Sequence, residues 1–166
     1  MRRALALLLA GCAAPTQPEE PDAAAPPPPA CTSGVYVDAN RQPGEDMMPG
    51  HACIACHAAE NAASGEQDAP VFAFAGTVYP GAHEPDLCAG VAAAGAEVVV
   101  IDARGERHVA PVNEVGNFHL DDALVPPLHA SVQFAGRVRA MQHAEANGDC
   151  NACHRADALP GRIVLP

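Results

Sequence analysis

The chain has no lysine and no tryptophan, and its aromatic complement is 2 Tyr and 4 Phe. All 9 of its basic residues are arginine, against 20 Asp and Glu, for a formal net charge of -11. Setting aside Arg2 and Arg3, which flank the first apolar run, takes that charge to -13. A field of that sign repels nucleic acid and anionic lipid surfaces and steers basic proteins toward it, while also serving plain solubility. The apolar run Ala4 to Ala10 is too short to cross a bilayer as a helix. Lack of tryptophan does not forbid a core, because 49% of the chain is hydrophobic.

What the chain does have is cysteine, 7 in all, and four of them fall into one repeated pattern. Cys53-Ile54-Ala55-Cys56-His57 and Cys150-Asn151-Ala152-Cys153-His154 are both Cys-x-x-Cys-His, which reads as a c-type haem attachment site. Two thiols three positions apart can bond the two vinyl groups of one porphyrin, and the adjacent histidine then lies beneath the iron as proximal ligand. A zinc site built from two C-x-x-C pairs and a pair of redox disulfides are the rivals. Neither requires the histidine. With 8 His in 166 residues, chance puts one there about one time in twenty, and twice about once in four hundred. The expected cofactors are two haem c, with His57 and His154 as metal ligands.

Met1-Arg2-Arg3 followed by Ala4 to Ala10 has the basic and apolar regions of a secretory signal. Its end, Leu9-Ala10-Gly11-Cys12, resembles the lipobox of bacterial lipoproteins. That resemblance implies cleavage before Cys12 and lipidation of that residue, anchoring the chain to a membrane. Ala13 is not the aspartate that the family associates with inner-membrane retention, so an outer-membrane location, on the periplasmic or cell-surface face, is expected. Residues 12–30 then form the lipidated cysteine and a Pro/Ala-rich linker ending in Pro26 to Pro29. At about 3.1 Å per residue, such a spacer reaches up to roughly 55 Å. With Cys12 and the four motif cysteines assigned, Cys31 and Cys88 remain, as a disulfide in an oxidising compartment or as two free thiols.

Between the motifs the sequence has strand character. Val71 to Tyr79 is rich in β-formers, and Val98-Val99-Val100-Ile101 is long enough for a buried strand. Asp102-Ala103-Arg104-Gly105 signals a hairpin into Glu106 to Pro111, and Asn113 to Gly116 a turn before Asn117 to Leu120. Alternation predicts one face for Leu128, Ala130, Val132 and Phe134, and Gly136 permits a turn into Arg137 to Met141. The expected fold is mainly β, a small antiparallel β-sandwich flanked by loop and short-helix segments that carry the two haem motifs. The predicted layout is 1–11 signal peptide, 12–30 linker, 31–70 first haem-binding segment, 71–142 sandwich, and 143–166 second haem-binding segment with a last short strand. A helix of about two turns is expected after His57, over Ala58 to Ala63.

The order Ala75 to Tyr79, Gly95 to Val98, Val115 to Phe118 and a Pro126-Pro127-led strand resembles the carboxypeptidase-regulatory-like, transthyretin-like β-sandwich. This implies a non-catalytic scaffold module. Taken with the lipobox and both motifs, the chain resembles a dihaem c-type cytochrome lipoprotein, which implies electron transfer with redox partner proteins.

The sixth position of each iron decides between carrier and catalyst, since methionine there raises the potential and an open position admits ligands. His83, in a turn-rich loop beside Cys88, is the first distal candidate, followed by Met47, Met48, Met141 and His143. His108, His119 and His129 alternate with apolar neighbours and are expected to face solvent. No acid-base residues of a haem enzyme stand out, so a carrier is expected over a peroxidase-like enzyme or a surface lipoprotein that binds zinc or a partner.

Overall fold

The computed structural model describes residues 29–38 and 44–166. Cys12 and the leader lie outside the described residues, as does the linker up to residue 28. Among the described residues the fold is mainly β, in the order α1 (Cys53–Ser64), β1 (Phe74–Tyr79), β2 (Glu97–Ile101), β3 (Arg107–Pro111), β4 (Asn117–Leu120), β5 (His129–Phe134), β6 (Arg137–Ala140), α2 (Cys150–Cys153) and β7 (Ile163–Val164). One sheet has the strand order β4-β1-β7 and the other β3-β2-β5-β6. All pairings are antiparallel except β1 with β7.

Strand β2 sits at the centre of the four-stranded sheet because its β-branched run tolerates cover on both faces, and Val98, Val99 and Val100 are all buried. Asp102 ends it. The Asp102 carboxylate accepts hydrogen bonds from the backbone N–H of Arg104 (2.8 Å), Glu106 (3.0 Å) and Val125 (3.2 Å) and from Arg104 Nε (2.9 Å). Burial alone would push this carboxyl up, but the donors outweigh it and hold it below the usual carboxylate range. Strands β5 and β6 are joined by Ala135-Gly136, both at positive φ (49° and 76°), which a two-residue type I′ hairpin demands.

Both sheets feed one core. Phe74, Val78 and Phe118 of the first meet Val98, Val100, Ala110, Ala130 and Val132 of the second, with Leu128 at the entry to β5. The expected face of Leu128, Ala130 and Val132 is therefore internal, while Phe134, at the strand end, is half-buried. His119 and His129 are exposed. His108 departs from expectation: it is half-buried, and its Nδ1 lies 2.9 Å from Asp122 Oδ2.

Strand β1 is buried at all six positions, because the sheet core covers one face and the two motif segments cover the other. Its edge away from β4 is completed by the segment before the second motif. Ala75 N–H donates to Gly148 O (3.0 Å), Thr77 N–H donates to Asn151 Oδ1 (3.1 Å), and β7 takes over at Val78 and Tyr79. The approach is close enough to need glycine. A Cβ on Gly148 would lie 2.0 Å from Ala73 O, and one on Gly76 would lie 2.9 Å from Cys150 Cβ.

Cys31 and Cys88 are joined in a disulfide that spans 57 positions of sequence. Beside it Val37 N–H donates to Leu87 O and Ala89 N–H donates to Val35 O, fastening the start of the described chain to the loop after β1. Closing a loop of that length restricts the unfolded chain by about 4 kcal/mol in the chain-entropy picture. Replacing both cysteines, Cys31→Ser with Cys88→Ser, should lower stability by about 2–4 kcal/mol. Urea denaturation of both proteins measures this, and an unchanged midpoint would refute it.

Candidate cofactor attachment site

The first motif opens α1. Cys53, Cys56 and His57 stand at i, i+3 and i+4 and share one side of the helix, and His57 is the one buried residue of its 12. The helix begins four residues before the motif ends, not after it as the sequence suggested. Its N-cap, Ala52, offers no side-chain cap. The missing acceptor comes from far along the chain, where Asp149 Oδ2 takes the N–H of Ala55 at 2.9 Å. One turn beyond His57, Asn61 bonds Ala69 twice, through Nδ2 to its O (3.0 Å) and through Oδ1 from its N–H (2.9 Å). This folds the loop after Gly65 back along the helix and brings Pro70 O within 2.8 Å of His57 Nδ1. Phe72 packs on the His57 ring (centroids 5.0 Å apart) and also on His119 (4.5 Å).

The second motif forms the single turn α2, with His154 just past it and its N–H donating to Cys150 O (2.9 Å). His154 Nδ1 lies 2.9 Å from Gly161 O. A carbonyl oxygen can only accept, so Nδ1 is the donor in both motif histidines, which leaves Nε2 as the nitrogen that can act as a ligand. That is the arrangement a metal-ligating histidine shows, with the second nitrogen oriented by a carbonyl. His83 shares it, through Nδ1 at 2.9 Å from Ala156 O, but is exposed.

The two motifs are bound to each other by side chains in and beside the second. Besides Asp149 with Ala55, Asn151 Nδ2 donates to His51 O (2.9 Å) and Thr77 Oγ1 (3.1 Å) and lies 3.9 Å from Cys53 Sγ. Arg162, whose side chain is 1% exposed, donates through one terminal nitrogen to Gly50 O (3.1 Å) and His154 O (3.3 Å). It also donates through Nε to Glu84 O (3.0 Å) and through its other terminal nitrogen to Asp86. Asp149 Oδ1 is buried with no partner. Asp149, Asn151 and Arg162 carry no motif signature, and sequence reasoning did not single them out.

Beside the second motif lies a cavity of about 610 Å³ that runs in between the sheets. Cys150, Cys153 and His154 line it with core residues such as Phe74, Phe118 and Val132. Of the distal candidates, Met141 (half-buried) and His143 (exposed) line the same cavity. His83 does not, and Met47 and Met48, both half-buried, lie on the approach to the first motif, where Met47 O accepts from Asn117 Nδ2 (2.9 Å).

All four motif cysteines are free thiols. Among the described residues, no group of three or more His, Cys, Asp or Glu with ligand atoms within 4.8 Å of one another includes any of them. One such group, Cys31, Glu84 and Cys88, has its sulfurs in the disulfide. The other, Asp102, Glu106 and His108, has its buried carboxylate taken up by the hairpin donors. No family model, curated protein or solved structure matches this chain.

Burial, and then the Asp149 carboxylate, push the Cys53 thiol from an ordinary 9.0 up to about 12. Cys150 is raised further by burial, Asp149 and Cys53. Cys56 and Cys153 are exposed. A thiol at 12 carries about a thousandfold less reactive thiolate at pH 8 than one at 9. In protein made without cofactor, iodoacetamide at pH 8 should therefore modify Cys56 and Cys153 well before Cys53 and Cys150. Peptide mass spectrometry over time reads the order, and equal rates would contradict it. Folding holds the Cys53 proton more tightly than the unfolded chain does. Its contribution to stability is thus intact below pH 9 and is lost as pH rises toward 12.

Proposed function

We propose that this chain is a dihaem c-type cytochrome that carries electrons, exported and held at a membrane by lipid on Cys12, with the bacterial outer membrane as its address. The single observation that carries this reading is shared by both motifs. Each pairs free thiols at i and i+3 with a histidine whose Nδ1–H is spent on a backbone carbonyl, at 2.8 Å for His57 and 2.9 Å for His154. Haem fits such donor sets. Cys53 with Cys56 and Cys150 with Cys153 would hold it by thioether bonds, and His57 and His154 would present Nε2 to its iron. The bound group supplies one-electron exchange at its iron. The chain itself orients both ligands, fixes their tautomer, and excludes water on the side of the second motif with Phe74, Phe118 and Val132.

A four-thiolate zinc site is less well served, because the motif sulfurs do not gather within reach of one ion. For the second iron Met141 is the favoured distal ligand, since it lines the cavity of His154 whereas His83 is exposed and does not. A filled sixth position suits a carrier over a catalyst. The sheet pair, which resembles a carboxypeptidase-regulatory-like sandwich, serves as a non-catalytic frame. Redox partners are expected to be basic where they meet its acidic surface.

Protein from a strain competent for c-type maturation should contain about two haems per chain by pyridine haemochrome and keep them on denaturation. A colourless product rejects the assignment. Met141→Ala should turn one iron from low to high spin by electron paramagnetic resonance, with His83→Ala leaving both unchanged. The reverse pattern would make His83 the ligand.

A further inference from the structure

Three of the contacts that join the two motifs run in one direction, from side chains in and beside the second to backbone in and beside the first. Asp149 holds Ala55 N–H, Asn151 holds His51 O, and Arg162 holds Gly50 O, so residues 50–55 are gripped at three points. All three gripping residues are buried, at 4%, 1% and 3% exposure. Polar bonds in such surroundings are costly to lose and fix geometry more firmly than surface contacts do. Each grip has a second end at the other motif. Asp149 and Asn151 flank Cys150 in sequence, and Arg162 also holds His154 O. Asn151 spans the gap directly, peptide-bonded to Cys150 and 3.9 Å from Cys53 Sγ.

Resting on the haem reading above, we propose that Asp149, Asn151 and Arg162 are positioning residues that clamp the two attachment motifs together, so that the haems they carry form one interacting redox pair. Two independent attachment sites on a sandwich would not need a shared buried polar clamp. The attachment residues Cys53 and Cys150 are bridged by a single residue, Asn151. Two centres attached at motifs so joined would interact through the protein between them, and reducing one would then change the potential of its neighbour. The macroscopic potentials then belong to the pair, as coupled titrations do. Passage of one electron between the centres oxidises one iron by one unit and reduces the other by one, with no bond made or broken and no proton moved.

The test uses the full protein and two single-haem forms, Cys53→Ala/Cys56→Ala and Cys150→Ala/Cys153→Ala. Haem content is measured first. Zero haem in the parent protein would overturn the functional reading and the pairing with it. With two haems bound, the electron paramagnetic resonance spectrum of the oxidised parent should differ from the sum of the single-haem spectra, and its potentiometric titration should depart from the sum of theirs. Additive spectra and titrations overturn the pairing while leaving the cytochrome reading intact. Asn151→Ala should then shrink the departure from additivity. Asp149→Ala should do the same, and Asp149→Asn, which keeps an oxygen for Ala55 N–H, should restore it. A variant that carries two haems and keeps the full interaction removes its residue from the clamp.

Discussion

Strand β1 is buried from end to end, so each of its backbone donors needs a protein partner. On one edge β4 supplies them. On the other there is no long strand, and the need is met in three pieces: Gly148 O, the side chain of Asn151, and the two residues of β7. The second Cys-x-x-Cys-His motif is thereby woven into the sheet and does not hang from its surface. Gly148 and Gly76 make room for this, since side chains there would meet Ala73 O and Cys150.

From that requirement the site follows. Placing Asn151 at the edge of β1 puts its amide within reach of His51 O, and the preceding Asp149 then faces the uncapped start of α1. The first helix borrows its cap from Asp149, the residue just before the second motif. Local clamps complete each histidine: Asn61 folds the loop that brings Pro70 O to His57, and Arg162 holds His154 O beside the turn that brings Gly161 O to its ring. Neither ring is free to choose its tautomer.

The cavity at the second motif has the same origin. Cys150 packs next to Gly76, and the cavity beside it is lined by Phe74 and Phe118 of one sheet and Val132 of the other. Cys150 and Cys153 border this cavity, whose walls are largely apolar side chains of both sheets. Met141 is drawn to this rim because its N–H donates to Ala130 O, continuing the β5-β6 pairing.

Much of the frame was legible in the chain itself. The valine run of β2, the Asp102 turn and the alternation from Leu128 to Val132 are local signals, and period-2 burial and turn chemistry act over a few residues. So is the Cys-x-x-Cys-His pattern, whose chemistry depends on spacing alone. The start of α1 was not legible, because its cap lies 94 positions away in sequence at Asp149. Nor were the roles of Asn151 and Arg162, whose partners at His51 and Gly50 are 100 and 112 positions distant. Local sequence determined where the repeated Cys-x-x-Cys-His pattern falls and which strands frame it. Only the tertiary structure decided how the two motifs meet, because buried backbone groups are satisfied by whatever polar atoms the folded chain brings to them.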